Sequence, residues 1–293
     1  MMGSLIRVAL ISLFLTATAH AARIEVFPGP GTPLQDAISS AAAGDELLVH
    51  SGTYNESIVI DRTLRVRPAN VGKFSNVVID AGCDTNTAVD IIADDVRLDG
   101  HSGTETAGLS VNGGTARTIR IAGGSGVQLK RMFVSGCPSA TAVEISDSTK
   151  TKLKLIFAWP PLPLIGILVQ NSTYVKLVRL GLRAQQTALR LENIAPGAPL
   201  GGAHVVVRRT TLAVNEGVTT PPERGVQFVA ADGVALKGNY FWMAQGIAID
   251  LDADSDNNRI VGSQLHTNGG GFVSDAGSGN QVLSTTCNGM ACP

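Results

Sequence analysis

A short phrase that alternates apolar and polar residues recurs from residue 88 onward: Ala-Val-Asp-Ile at Ala88, Thr-Ile-Arg-Ile at Thr118, Ala-Val-Glu-Ile at Ala142, Gly-Ile-Leu-Val at Gly166, Ala-Leu-Arg-Leu at Ala188, Gly-Val-Gln-Phe at Gly225, Gly-Ile-Ala-Ile at Gly246 and Gly-Phe-Val-Ser at Gly271. Period-two alternation marks half-buried strands. After a turn, most phrases are followed by a second β-rich run, as in residues 126–134, 151–158, 173–182, 204–212 and 233–242. A unit this small cannot bury its own apolar face. Stacking solves that: Ile121, Ile145, Val169, Leu191, Phe228 and Ile249 become one inward column, with a rise of about 4.8 Å per coil. Constant phrases at intervals of 21 to 37 residues mean that strands keep register while lateral loops absorb insertions. The pattern predicts an all-β, single-stranded, right-handed parallel β-helix, a solenoid, over residues 22–293. A leucine-rich repeat requires a stricter period and a propeller requires four-strand blades, which leaves a two-sheet sandwich as the rival.

The start of the domain predicts a short N-terminal capping α-helix over 32–42. Thr32 stands at the N-cap, Pro33 at the first helical position and Gln35 where a capping box needs it, with Leu34, Ala37, Ile38 and Ala41 on one face. A helix there covers strand backbone that a bare first coil leaves unpaired. Then come Gly44-Asp45, an apolar strand at 47–49, Gly52-Thr53-Tyr54, the acid Glu56 and a further strand at 57–60. This succession resembles the opening segment of the pectin-lyase-like β-helix proteins. The resemblance runs over roughly residues 24 to 284 and implies the fold. It implies no single activity, since the superfamily holds lyases, hydrolases, esterases, epimerases and phage tail proteins.

Composition narrows the partner. The 293 residues carry 16% charged side chains, 33 glycines and a net charge of -1, which argues against disorder and against nucleic acid. Residues 1–21, with Arg7 before the apolar run 8–15 and small Ala19 and Ala21 at a cleavage junction, read as a signal peptide. The mature chain is expected to be secreted (extracellular or periplasmic), monomeric and without a membrane span. Four cysteines suit an oxidising compartment. Cys287 and Cys292 are expected to close a disulfide loop within the tail 285–293. Cys83 and Cys137 occupy equivalent places two coils apart, roughly 9.6 Å, beyond bridging reach, so they are expected to be thiols.

Signatures of the superfamily's enzymes are mostly missing: of the acid pairs of polygalacturonase-like hydrolases only Asp94-Asp95 remains, and Arg259-Ile260-Val261 lacks the lysine of their basic phrase. Two constellations remain. Asp250, Asp252 and Asp254 alternate in an outward phrase that suits either calcium, bound through hard oxygen ligands, or a solvated strand end. Lys152 and Lys176 share one position of the second strands, Lys130, Lys154 and Lys237 another, and Arg131 and Arg179 the next, a stripe able to track an acidic polysaccharide or to snorkel over an exposed face. The first strands differ, since Asp90, Arg120 and Glu144 alternate in sign. Trp159 and Trp242 share a place near the end of the second strand, where they can stack on sugar rings or on each other's coils. The Pro-rich segment 159–164 and the insertion 194–203 are expected to be lateral loops that wall any groove. The expected function is engagement of extracellular or cell-surface polysaccharide, either by a lyase-like or epimerase-like enzyme or by a non-catalytic structural or adhesion β-helix.

Overall fold

The computed structural model describes residues 21–69, 76–100, 108–158, 160–195, 204–214, 223–243 and 245–292. The signal-peptide segment 1–20, Trp159 and residues 196–203 of the insertion lie outside the described residues. Each coil carries three parallel strands, not two. The first sheet holds the recurring phrases, from Ile58–Ile60 through Thr87–Ile91, Arg117–Ala122, Thr141–Ser146, Ile165–Gln170, Thr187–Ile194, Arg224–Ala231 and Ile247–Leu251 to Val273–Asp275. The second-strand runs divide between two further sheets. In Gln128–Ser135, residues 128–130 pair with Lys152–Lys154 on the second sheet, while 132–135 pair with Leu109–Asn112 on the third. The bend is one left-handed residue per coil: Arg131, Leu155, Arg179 and Arg209 have φ of 53, 57, 54 and 52°, and Gly238 and Gly262 continue the column. The expected second strand is thus one run folded into two strands at that residue, and the inward set shifts by one across the corner, from Leu129 to Met132, Leu153 to Ile156 and Leu177 to Leu180.

Alternate residues of all three sheets point into one core. Ile121, Ile145, Val169, Leu191 and Phe228 stack in register as expected, but the next member of the column is Leu251. Ile249 instead faces Val226. Gly246, with φ of 88°, belongs to the corner before the strand, so the phrase there begins at Ala248. The second-to-third corner places one residue inside. Upstream that residue is Met132, Ile156 or Leu180; downstream it is Thr210, Asn239, Ser263 and Thr285, all buried. Thr210 N–H donates to Asn239 Oδ1 at 3.0 Å, Asn239 N–H to Ser263 Oγ and Ser263 N–H to Thr285 Oγ1. Backbone groups turned inward at a corner need partners, and the next coil supplies them.

Helix α1 (Pro33–Ser40) buries Leu34 and Ile38 and packs on the strands Arg23–Val26, Glu46–Val49 and Ile58–Ile60. The expected capping box does not form: Thr32 makes no side-chain cap. Glu56 takes over, its carboxylate accepting from Leu34 N–H at 2.9 Å and Gln35 N–H at 2.8 Å. An acid 21 and 22 residues further along the chain satisfies two orphan donors and faces the positive end of the helix. Gln35 is thereby released to pair with the free edge of the first sheet, accepting from Val59 N–H at 2.7 Å. Arg62 closes the other helix end on the carbonyls of Ser39 and Ala41. At the far terminus Thr286–Cys287 and Met290–Ala291 pair antiparallel across Asn288-Gly289, both with positive φ, and Cys287 and Cys292 are bridged as expected.

Cys83 and Cys137 are also bridged, at a Cα–Cα distance of 6.0 Å, against the expectation of two thiols. The corner between them is Gly113-Gly114, with φ of 97 and 82°. Without side chains it lets the turn at 81–86 sink: Gly114 N–H donates to the Gly82 carbonyl at 2.8 Å, and a Cβ on Gly113 would lie 2.2 Å from that oxygen. Two coil rises therefore do not separate the sulfurs.

Candidate functional site

Outward side chains distinguish the three faces. The first sheet is self-neutralised. Arg117 meets Glu144 at 2.5 Å and Arg120 meets Asp90 at 3.5 Å, while Arg190 pairs with Glu192 and Arg224 with Asp250. The acidic phrase is likewise consumed internally. Asp250 is held by Arg224; Asp252 accepts from Ser255 Oγ at 2.6 Å and from Ala230 N–H; Asp254 is exposed. Among the described residues no group of three or more Asp, Glu, His or Cys side chains is placed to hold a metal ion. The three aspartates thus do not converge, and the arrangement does not fit a calcium site.

The second sheet carries the lysines. One column reads Arg23, Glu46, Arg65, Arg97, Gln128, Lys152 and Lys176 in successive register. Its first coils alternate in sign, with Glu46 bonded to Arg23, Arg65 and Arg67. Beyond Arg97 no carboxylate appears. Asp99, Lys130 and Lys154 are in register in the neighbouring column, with Lys237 further along beyond Val178 and Arg208. Arg179 is exposed at the αL corner. Among the described residues Lys150, Lys152, Lys154 and Lys176 form no ion pair, although Lys152 and Lys176 sit on adjacent strands. A trench of about 350 Å³ runs there, lined by Gln128, Lys150, Thr151, Lys152, Tyr174 and Lys176. Tyr174, 50% exposed, holds its ring 5.2 Å from that of His204, the two planes tilted at 47°. Lys150 and Tyr174 lie in the first-to-second corner, at φ of 56 and 57°; Lys150 precedes the run 151–158, and Tyr174 stands at the start of the run 173–182 with no charge to align with the lysines. A smaller hollow holds Lys130 among Arg65, Arg97, Asp99 and Gln128. Burial there pushes the Lys130 ammonium below its ordinary pKa, with the Asp99 carboxylate opposing the shift. Asp99 itself is bidentate to Arg131, at 2.8 and 2.9 Å.

The third sheet carries the aromatics. Trp242, 51% exposed, stands two residues from Tyr240 and beside His266, and Phe133 lies 5.7 Å from Phe157, centroid to centroid. Trp242 therefore does not join the lysines; the αL corner turns it onto another face. On the same sheet a groove of about 590 Å³ opens beside the Cys83–Cys137 bridge, with Pro160 and Pro161 at its edge. The Pro-rich segment thus walls a groove, although not the one beside the lysines.

No family model matches the chain, and no curated protein sequence does. Solved structures do. The pectate lyase Pel9A superposes with a TM-score of 0.62 at 12% identity, over 94% of this chain and 79% of its own. The chain has a pectin-lyase-like fold. ORF18 of Geobacillus virus E2 matches at 0.60 with 11% identity, over 90% of this chain and 60% of that one. DFA-IIIase from Arthrobacter chlorophenolicus A6 without its lid matches at 0.57 with 12% identity, over 91% and 64%. The chain spans less than two thirds of the length of these last two. At such identities the pectin-lyase-like fold is common property and the chemistry is not, so function has to be argued from the faces.

Proposed function

We propose that this is a secreted, monomeric β-helix protein that binds an acidic extracellular polysaccharide along its second sheet. One observation carries the reading: the Arg23–Glu46–Arg65 column loses its sign alternation and continues through Arg97 and Gln128 to Lys152 and Lys176, which form no ion pair among the described residues. Like charges on neighbouring strands repel, and a linear polyanion lying along the axis relieves that repulsion coil by coil. Lys154 and Lys237 extend the stripe, Arg179 borders it and Tyr174 offers a ring face for a sugar. The reading takes the chain as exported after cleavage near Ala21, which the two disulfides suit. It also takes the coil as right-handed, the hand of nearly all parallel crossovers, with α1 as its cap.

The test is affinity electrophoresis and calorimetry against polygalacturonate and alginate, with a neutral glucan as control. Binding to the polyanions is expected, weakened about tenfold or more by the double substitution Lys152→Ala, Lys176→Ala. Equal binding by that variant, or silence toward both polyanions, overturns the reading.

A lyase reading has its own support in Lys130. A lysine whose ammonium is disfavoured by burial can take the proton α to a uronate carboxylate, with Arg97 and Arg65 in the same hollow neutralising that carboxylate. Release of unsaturated uronate, read as ultraviolet absorbance, tests it; loss on Lys130→Met with binding retained supports it, and absence of release from bound polymer removes it.

A further inference from the structure

The groove on the third sheet has a chemistry opposite to that of the lysine face. Its floor is a grid of outward side chains from three successive coils. Val78, Ser110 and Phe133 form one column and Asp80, Asn112 and Ser135 the next, all in parallel register. The bridge Cys83–Cys137 and the pair Pro160–Pro161 supply apolar walls. Among the described residues Asp80 is the one charged side chain lining it. Its Oδ1 accepts from Gly82 N–H at 3.0 Å, which fixes the carboxylate and leaves Oδ2 without a partner among the described residues. Ser110, Asn112 and Ser135 likewise commit no side-chain donor or acceptor to other described residues.

A hydroxyl-rich ligand answers each of these features. Asp80 and Asn112 can accept and donate to neighbouring hydroxyls, the two serines add single bonds, and the prolines offer apolar surface to the C–H face of a ring. A capacity of about 590 Å³ lies in the range of roughly 300–1,000 Å³ usual for small-ligand sites. The lone negative charge disfavours uronates and phosphates. We propose that this groove binds a neutral glycan, a short run of sugar units lying along the axis across three coils. It shares no residue with the lysine trench, so it stands or falls independently of the acidic-polysaccharide reading.

Calorimetry of the full chain with xylohexaose, cellohexaose, mannohexaose and laminarihexaose, and with trigalacturonate, tests this. At least one neutral hexasaccharide is expected to bind. Asp80→Ala and Asn112→Ala are each expected to raise its Kd tenfold or more, and Lys152→Ala to leave it unchanged. Ser135→Trp, which fills the groove from an outward position, is expected to abolish binding even if an alanine variant fails to fold. The proposal is overturned if no neutral hexasaccharide binds the folded protein, if binding survives both Asn112→Ala and Ser135→Trp, if Lys152→Ala removes it, or if trigalacturonate is preferred at this site.

Discussion

Glu46 is the most heavily engaged side chain of the first coils: a buried carboxylate that receives Arg67 at 2.8 Å, Arg23 at 3.2 Å and Arg65 at 3.3 Å. The Arg67 hydrogen bond, more than the arginine charges, holds its pKa below the ordinary 4.5, and burial only partly opposes it. A depressed folded pKa stabilises the native state above the unfolded value, and that contribution is lost as pH falls through the folded one. Wild-type stability in urea is therefore expected to drop as pH is lowered below about 4.5. Glu46→Gln should flatten that segment and cost on the order of 2–4 kcal/mol at pH 7, because three arginines lose their counter-charge. An unchanged acid limb in the variant would show that Glu46 is not the titrating group. Residues like this one, and Glu56 under the helix, are legible one by one but not as pairs. Glu56 stands out in the sequence as the acid after Gly-Thr-Tyr, yet its partners lie 21 and 22 residues upstream, beyond any local motif.

Strand existence was easy to read and corners were not, for a physical reason. Alternation over four residues reports a strand, but the αL corner is occupied by Arg131, Leu155, Arg179 and Arg209, ordinary residues that carry no turn signature. Each costs roughly 1–2 kcal/mol in isolation and is held by hydrogen bonds to the coils on either side, so the signal resides in the stack and not in the segment. The reverse holds at Gly113. Its glycine was visible in the sequence, and its consequence, a corner low enough for Cys83 to reach Cys137, was not. Gly113→Ala should expose that dependence. The added Cβ would press on the Gly82 carbonyl at a φ that favours glycine, so a loss of roughly 1–3 kcal/mol is expected. Thiol titration of the denatured protein should then reveal a fraction of unbridged Cys83 and Cys137. Full bridging with unaltered urea unfolding would mean that the turn at 81–86 finds another path.

At the scale of the whole molecule the three sheets partition charge: the first is neutralised by ion pairs, the second is cationic beyond Arg97, and the third presents an aromatic and amide surface with one acid at its groove. The sequence reading put the lysines and Trp242 on the same second strands because it counted two strands per unit; a third strand turns the tryptophan onto another face and keeps the two chemistries apart. Salt should separate them as well. Attraction between exposed lysines and a polyanion is screened over a Debye length of about 10 Å at 0.1 M salt and about 3 Å at 1 M, whereas hydrogen bonds and ring contacts to a neutral sugar are not. Affinity for polygalacturonate is therefore expected to fall steeply between 0.05 and 0.5 M sodium chloride, and less steeply once Lys152 and Lys176 are alanine. Affinity of a neutral hexasaccharide should hold within about twofold across the same range. If both ligands lost affinity in parallel, and each displaced the other, a single surface would be serving both, and the separation of faces would have no functional meaning.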